Sequence, residues 1–225
     1  MIIKVCGMCD AENIRAVEQL DIDWMGFIFY RRSPRYAGDA DTEIIRRCIR
    51  KKVGVFVNAP VEEILTKAAH CKLDYVQLHG DESPAICRDL TVHGLPVIKA
   101  FPIASTDDLK RTEDYESAAS FFLFDTKCEG YGGSGQRFDW SVLANYQGNT
   151  PFLLSGGLTP DAADEVRRFR HPMLAGIDLN SGFETAPAMK NTTTLAPFIK
   201  HIRQTKNSGN NTIGSFTFAR VCQCY

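Results

Sequence analysis

"YVQLHGDESPAICRDLTVHG", residues 75–94, holds a complete strand-and-helix unit. Tyr75 to Leu78 form a short run of aromatic, β-branched and aliphatic residues, the composition of a buried strand. Ser83 stands where a helix N-cap belongs, and Pro84 follows at the first helical position, where its missing N–H is harmless. A helical period then runs to Gly94. Between the two elements lies a polar junction opened by His79. A strand followed closely by a helix is half of a βαβ unit, so the fold depends on whether the unit repeats.

It repeats along most of the chain. Strands are read at 2–6, 24–29, 53–57, 75–78, 96–101, 121–125, 151–155 and 174–179. Helical segments are read at 10–20, 41–51, 61–71, 83–94, 138–146, 159–169 and 193–205. Asp10, Ser83 and Thr159 occupy N-cap positions, and Pro84 and Pro160 come one residue later. Eight such strands alternating with helices give an α/β fold with a parallel sheet. The sheet is either open and doubly wound or closed. An even count of eight, with no dinucleotide glycine fingerprint after the first strand, favours a single (β/α)8 TIM barrel over residues 1–204. Residues 205–225, rich in Asn, Ser, Gly and Thr, read as a flexible tail.

Composition narrows the function. A net charge of −1 provides no basic field for a polyanion, so nucleic acid is not an expected partner. No apolar run reaches the roughly 18 residues of a membrane helix, and the N-terminus lacks the pattern of a signal peptide. The eight cysteines are therefore expected as reduced thiols of a cytoplasmic protein.

In a (β/α)8 barrel the chemistry gathers at the C-terminal ends of the strands. Cys6 ends the first strand, Arg35 lies in the loop after the second, and His79 follows the fourth. Asp125 ends the sixth strand, and Asp178 lies near the end of the eighth. A polar residue at any one strand end is ordinary. Five different reactive or binding groups on one rim are harder to explain that way. Side chains alternate along a strand, so Lys4 lies on the face of Cys6, one layer deeper, and Gln77 shares a face with His79. A buried Lys4 ammonium either favours a Cys6 thiolate or pairs with a lumen carboxylate.

Glycine loops supply a second signal. "SGGL" (155–158) and "NSGFE" (180–184) follow the last two strands, where barrels commonly hold phosphate on backbone N–H groups. "EGYGGSGQRFDW" (129–140) reads as a mobile flap beside Asp125, and no Lys-Ser or Lys-Thr follows its glycines as a P-loop requires. "CGMC" (6–9) has the spacing of a redox pair, half a zinc site, or one working cysteine with a neighbour.

"KVCGM" (4–8), "RSPR" (32–35), "GVFVN" (54–58), "VQLHGDE" (76–82), "FDTK" (124–127), "GGSGQRFDW" (132–140), "LSGGLTPD" (154–161) and "IDLNSGFE" (177–184) together resemble the phosphoribosylanthranilate isomerase family of tryptophan biosynthesis. The resemblance implies a cofactor-free, metal-free Amadori rearrangement of a small phosphosugar. It implies Cys6 as general base, Asp125 as general acid and Arg35 as anchor of the anthranilate carboxylate. Gly156, Gly157, Ser181 and Gly182 would hold the phosphate, and His79 and Asp178 would line the pocket. The chain departs from the family pattern at Cys9, at Asn191 (where Asp is usual) and in the tail.

A monomer with neither nucleic-acid nor membrane partners is expected. Competing readings are a neighbouring phosphosugar barrel such as indole-glycerol-phosphate synthase, a redox or zinc protein on Cys6 and Cys9, and a catalytically dead binding barrel. The first needs a catalytic lysine and glutamate at the rim, whereas the first strand here ends in cysteine.

Overall fold

The hydrogen bonds of the first strand decide the topology. β1 (Ile2–Val5) pairs in parallel with β2 (Trp24–Ile28) on one side and with β8 (Leu174–Leu179) on the other. The strands between are β3 (Lys51–Phe56), β4 (Tyr75–Leu78), β5 (Val97–Ile103), β6 (Phe121–Thr126) and β7 (Phe152–Leu154), each pairing in parallel with the next. The sheet is therefore the closed barrel and not the open alternative. The computed structural model describes residues 1–38, 40, 42–127 and 138–204. The expected tail and most of the glycine-rich flap lie outside the described residues.

Around the barrel run α1 (Ala11–Glu18), α2 (Thr42–Arg47), α3 (Val61–Cys71), α4 (Pro84–Val92), α5 (Thr106–Leu109), α6 (Ala163–Arg168) and α7 (Thr192–Arg203). No helix among the described residues is long and apolar enough to cross a membrane. Asp10 caps α1 as expected, its Oδ1 accepting from the Asn13 amide at 2.8 Å. Ser83 and Thr159 sit at N-cap positions with extended backbone, but neither side chain makes a capping hydrogen bond. Pro84 and Pro160 set those starts by their fixed φ instead.

Three elements differ from the sequence expectation. Residues 140–145 form a 3-10 turn in place of an α-helix. Its buried side chains, Trp140 and Leu143, are three apart, the period of that tighter helix. α5 and a 3-10 turn at Lys110–Tyr115 fill the β5–β6 crossover, where the sequence reading has no helical segment. β9 (Glu184–Ala186) and β10 (Met189–Lys190) form a small antiparallel hairpin between β8 and α7.

Strand alternation sorts the core into two layers. Trp24, Val53, Ile98, Ala100, Leu123 and Leu153 form an inner cluster, floored by Trp24 stacked on Tyr75 at 4.5 Å between ring centroids. The opposite parity, including Ile3, Val5 and Phe27, packs outward under the helices. Above this floor the lumen carries buried polar side chains, Lys4, Gln77 and Asp178 among them, which is why the chemistry lies at that end.

A buried ion pair fixes the loop after β4. Lys99 Nζ lies 3.2 Å from Glu82 Oε2, with only 3% and 1% of the two side chains exposed. Glu82 accepts from the amides of Asn58 (2.8 Å) and Gly80 (2.9 Å), and Lys99 donates to the Gly80 carbonyl at 2.7 Å. His79 is thus carried by a stapled loop. Glu82→Ala leaves an uncompensated buried ammonium and should lower stability by about 3–5 kcal/mol in urea unfolding. A loss below about 1 kcal/mol would mean that the carbonyls around Lys99 suffice.

Candidate active site

Cys6 follows β1 directly, and the neighbouring strand makes room for it. A Cβ added at Gly26 of β2 would lie 2.6 Å from Cys6 Sγ, so no larger residue fits against the thiol. The Gly26 carbonyl also accepts from the amides of Gly7 (3.0 Å) and Met8 (3.1 Å), fixing the turn that ends β1. One layer below, Lys4 Nζ donates to both Asp178 oxygens at 3.0 Å, and the lysine side chain is wholly buried. Lys4 and Asp178 are register partners across the β1–β8 seam.

This pairing changes the expected state of the thiol. Burial is the largest single influence on Lys4 and disfavours its charge, but Asp178 and Cys6 together outweigh it and hold the ammonium above the ordinary lysine range. Burial likewise pushes the Cys6 thiol up, and Lys4 offsets this only in part while Asp178 adds to it. Of the two readings of a buried Lys4, the pairing with a lumen carboxylate holds, and the thiol is not lowered because the lysine's charge is already engaged.

Asp125, at the end of β6, accepts from the Thr126 amide at 2.9 Å through Oδ1. Its Oδ2 faces His79 Nε2 at 3.4 Å. The other ring nitrogen, Nδ1, lies 2.9 Å from the amide nitrogen of Gln77. With the amide in this orientation Gln77 donates to Nδ1, and the matching tautomer carries its proton on Nε2, toward Asp125. Gln77 is 1% exposed, and its Oε1 has no partner among the described residues. It was not among the sequence candidates, although its shared face with His79 was the signal for it.

The glycine loops after β7 and β8 meet. Gly156 (φ +83°) and Gly157 (φ +63°) have left-handed backbones that favour glycine. A Cβ at Gly156 would lie 2.2 Å from Thr126 Oγ1 and 3.0 Å from Asp125 Oδ1, so this loop rests on the end of β6. A Cβ at Gly182 would meet the Leu158 carbonyl oxygen at 2.1 Å, which puts the two loops side by side. The amides of Gly156, Gly157, Ser181 and Gly182 donate to no backbone acceptor among the described residues.

On the other side of Cys6, the loop after β2 is tied to its own strand by Ala37 N–H donating to the Ile28 carbonyl at 2.7 Å. The Cys9 thiol donates to the Arg35 carbonyl at 3.1 Å. Cys9 lies ahead of the Asp10 cap, and burial pushes its thiol up to about 11. The Arg35 guanidinium is held by Glu184, with Nε at 2.9 and 3.1 Å from the two oxygens and Nη2 at 2.7 Å from Oε2. Lys190 donates to the same carboxylate and to Asn180 Oδ1. Burial pulls the Glu184 carboxyl upward, but Arg35 and Lys190 prevail and hold it below the usual range. Burial lowers Lys190, with Glu184 opposing. Neither Glu184 nor Lys190 was a sequence candidate. Asn191 caps α7 by accepting from the Thr193 amide at 3.0 Å, so the departure from Asp there keeps the cap.

Cys6 and Cys9 are free thiols, and Cys222 and Cys224 lie outside the described residues. Among the described residues, no group of three or more His, Cys, Asp or Glu side chains is arranged to hold a metal ion.

A barrel mouth with a thiol and a carboxylate on different strands, and anion-sized amide and guanidinium groups at its sides, defines a (β/α)8-barrel enzyme working by proton transfer. The model of the N-(5'-phosphoribosyl)anthranilate isomerase family matches residues 3–201, and the chain belongs to that family of isomerases. It is 55% identical over 206 residues to the N-(5'-phosphoribosyl)anthranilate isomerase of Parabacteroides distasonis, covering 90% of this chain and 93% of the relative. It resembles the solved monomers made from the dimeric Thermotoga maritima isomerase (TM-score 0.75, 32% identity, 90% of this chain and 98% of that one). An isomerase crystallised with reduced 1-(o-carboxyphenylamino)-1-deoxyribulose 5-phosphate is equally similar (TM-score 0.75, 31% identity, 90% and 98%).

Gly26→Ala should leave a folded barrel, because the conflict is confined to the Cys6 side chain and its backbone. It should lower kcat/KM by roughly 10²-fold, the effect of displacing a reacting group by about an ångström. Steady-state kinetics with a circular dichroism check of the fold decides this. Undiminished kcat/KM would mean that the thiol's position is not set by Gly26.

Proposed function

We propose that the chain rearranges N-(5-phosphoribosyl)anthranilate to 1-(o-carboxyphenylamino)-1-deoxyribulose 5-phosphate in tryptophan biosynthesis, with Cys6 as base and Asp125 as acid. The observation that carries this reading is that both groups end at one rim of a closed barrel, on strands three apart around it. A sugar carbon and its ring oxygen then fit between them, as acid–base chemistry on one substrate demands.

The proton inventory suits these groups. Asp125 protonates the furanose ring oxygen, and the nitrogen lone pair opens the ring to a protonated imine. That imine acidifies C2–H, and the Cys6 thiolate removes the proton to give an enolamine. C1 then gains a proton and the 2-hydroxyl loses one. The Cys6 thiol and Asp125 carboxylate left by the first half are suited to give and take those two, restoring both. The imine nitrogen is the electron sink, so the reaction calls for neither metal nor organic cofactor.

His79, oriented by Gln77, aims Asp125, and Asp178 lines the pocket from its pair with Lys4. Arg35 anchors the anthranilate carboxylate through charge-assisted hydrogen bonds. The amides of Gly156, Gly157, Ser181 and Gly182 hold the phosphate. Anchors at the two ends of the substrate supply orientation from remote binding energy.

Residues 1–204 constitute the catalytic barrel in this reading, and 205–225 take no part in turnover. The protein works in the cytoplasm as a monomer. In support, the large exposed apolar side chains among the described residues are Met1, Ile49 in the α2–β3 link, Val92 in α4 and Met189 in β10, which belong to separate segments of the chain. Sedimentation equilibrium tests this, given that the Thermotoga relative is dimeric.

Asp125→Asn should lose roughly 10²–10⁴-fold in kcat while keeping the fold, because an amide cannot protonate the ring oxygen. Cys6→Ser should be comparably inactive, and Cys9→Ser active, since a serine hydroxyl still donates to the Arg35 carbonyl. Because burial holds the free-enzyme thiol above its ordinary value, alkylation of Cys6 by a neutral haloacetamide should be slow at neutral pH and speed up into the alkaline range as the thiolate forms. An alkylation rate that does not rise with pH would contradict the raised thiol, and an active Cys6→Ser enzyme would remove Cys6 as the base.

A further inference from the structure

A charge cluster behind Arg35 contains more than an anchor needs. Glu184, the first residue of β9, occupies the Nε and Nη2 edge of the guanidinium. Lys190, from β10, donates to the same carboxylate, and none of its side chain is exposed. Its Nζ also donates to Asn180 Oδ1 at 3.0 Å. The Asn13 side-chain amide clamps its backbone from both directions, at 2.8 and 2.9 Å. The cluster leans on the turn beside Cys6. A Cβ at Gly7 would lie 2.7 Å from Arg35 Cδ, 2.8 Å from Asn180 Oδ1 and 3.4 Å from Lys190 Nζ.

Two cations therefore face one carboxylate. Arg35 alone would neutralise Glu184, so the second buried ammonium leaves one positive charge uncompensated. Burying a cation is costly unless an anion completes it. Arg35 Nη1 donates to nothing among the described residues, so the end edge of the fork remains for a planar, singly charged carboxylate.

We propose that Glu184 and Lys190 are positioning and specificity-determining residues, Glu184 fixing the orientation of Arg35 and Lys190 keeping the cluster one charge short of neutrality for an aryl carboxylate. The β9–β10 hairpin is thereby the element that selects an anthranilate over an uncharged aniline. The inference rests on the reading of Arg35 as the carboxylate anchor.

The test measures Kd for two probes, the reduced product analogue with its carboxylate and the same molecule lacking it. The discrimination ratio between them is compared in wild type, Arg35→Ala, Lys190→Met and the double variant Lys190→Met with Glu184→Gln. Lys190→Met should lower the ratio at least roughly tenfold, through the carboxylated probe alone. The double variant again has one uncompensated positive charge and should regain much of the ratio. A merely structural lysine would weaken both probes alike and gain nothing from the second change, and either result overturns the proposal. If Lys190→Met folds poorly, Glu184→Gln against wild type makes the same comparison, the variant expected to prefer the carboxylated probe more strongly because the glutamine oxygen still accepts from the Arg35 fork while one negative charge is gone. No difference between them overturns the charge argument. An Arg35→Ala enzyme with an intact ratio would instead refute the anchor itself.

Discussion

The ion pair of Lys4 with Asp178 joins the two ends of the chain's repeat. These residues are direct register partners on β1 and β8, so the pair spans the seam where the sheet closes. An open sheet would leave each as an isolated buried charge at an edge, which is strongly unfavourable. Closure and the pair therefore depend on each other. The same closure brings Cys6, from the start of the chain, beside residues that follow β8 nearly at its end.

The pair also sets the electrostatics of the mouth. Its two charges largely cancel, so the thiol above it feels mainly its burial. A thiol held neutral in the free enzyme is protected from oxidation and stray alkylation, since the thiolate is the reactive form. The positive charge proposed to hold the substrate comes instead from Arg35, with the buried Lys190 behind it. Charge proposed to hold the substrate is thus separated from the group proposed to act on it.

Much of the fold was legible because it is periodic. A strand run such as Tyr75–Leu78 and a helix opened by Ser83-Pro84 carry their signals within a few residues, and the eightfold repetition reinforces them. Cys6, Asp125, His79 and Asp178 could be put on one rim by strand ends alone, and parity foretold Lys4 beneath Cys6. What stayed hidden depends on residues far apart in sequence. Nothing local connects Glu184 with Arg35, 149 positions away, and the hairpin that carries Glu184 is too short to show a period. The fit of Gly26 against Cys6 crosses between strands, so the glycine read as an ordinary strand residue. The thiol's state stayed open for a related reason. Parity put the ammonium under Cys6, but which carboxylate engages it depends on the β1–β8 register.

The central claim is that a base on β1 removes the proton from C2 of a substrate held in the barrel mouth. Single-turnover conversion of N-(5-phosphoribosyl)anthranilate, with hydrogen or deuterium at C2, tests it most directly. The account predicts a slower chemical step for the deuterated substrate, most marked in the Gly26→Ala enzyme, where the thiol is displaced and proton removal limits the rate. Equal rates for both isotopologues in both enzymes would contradict it.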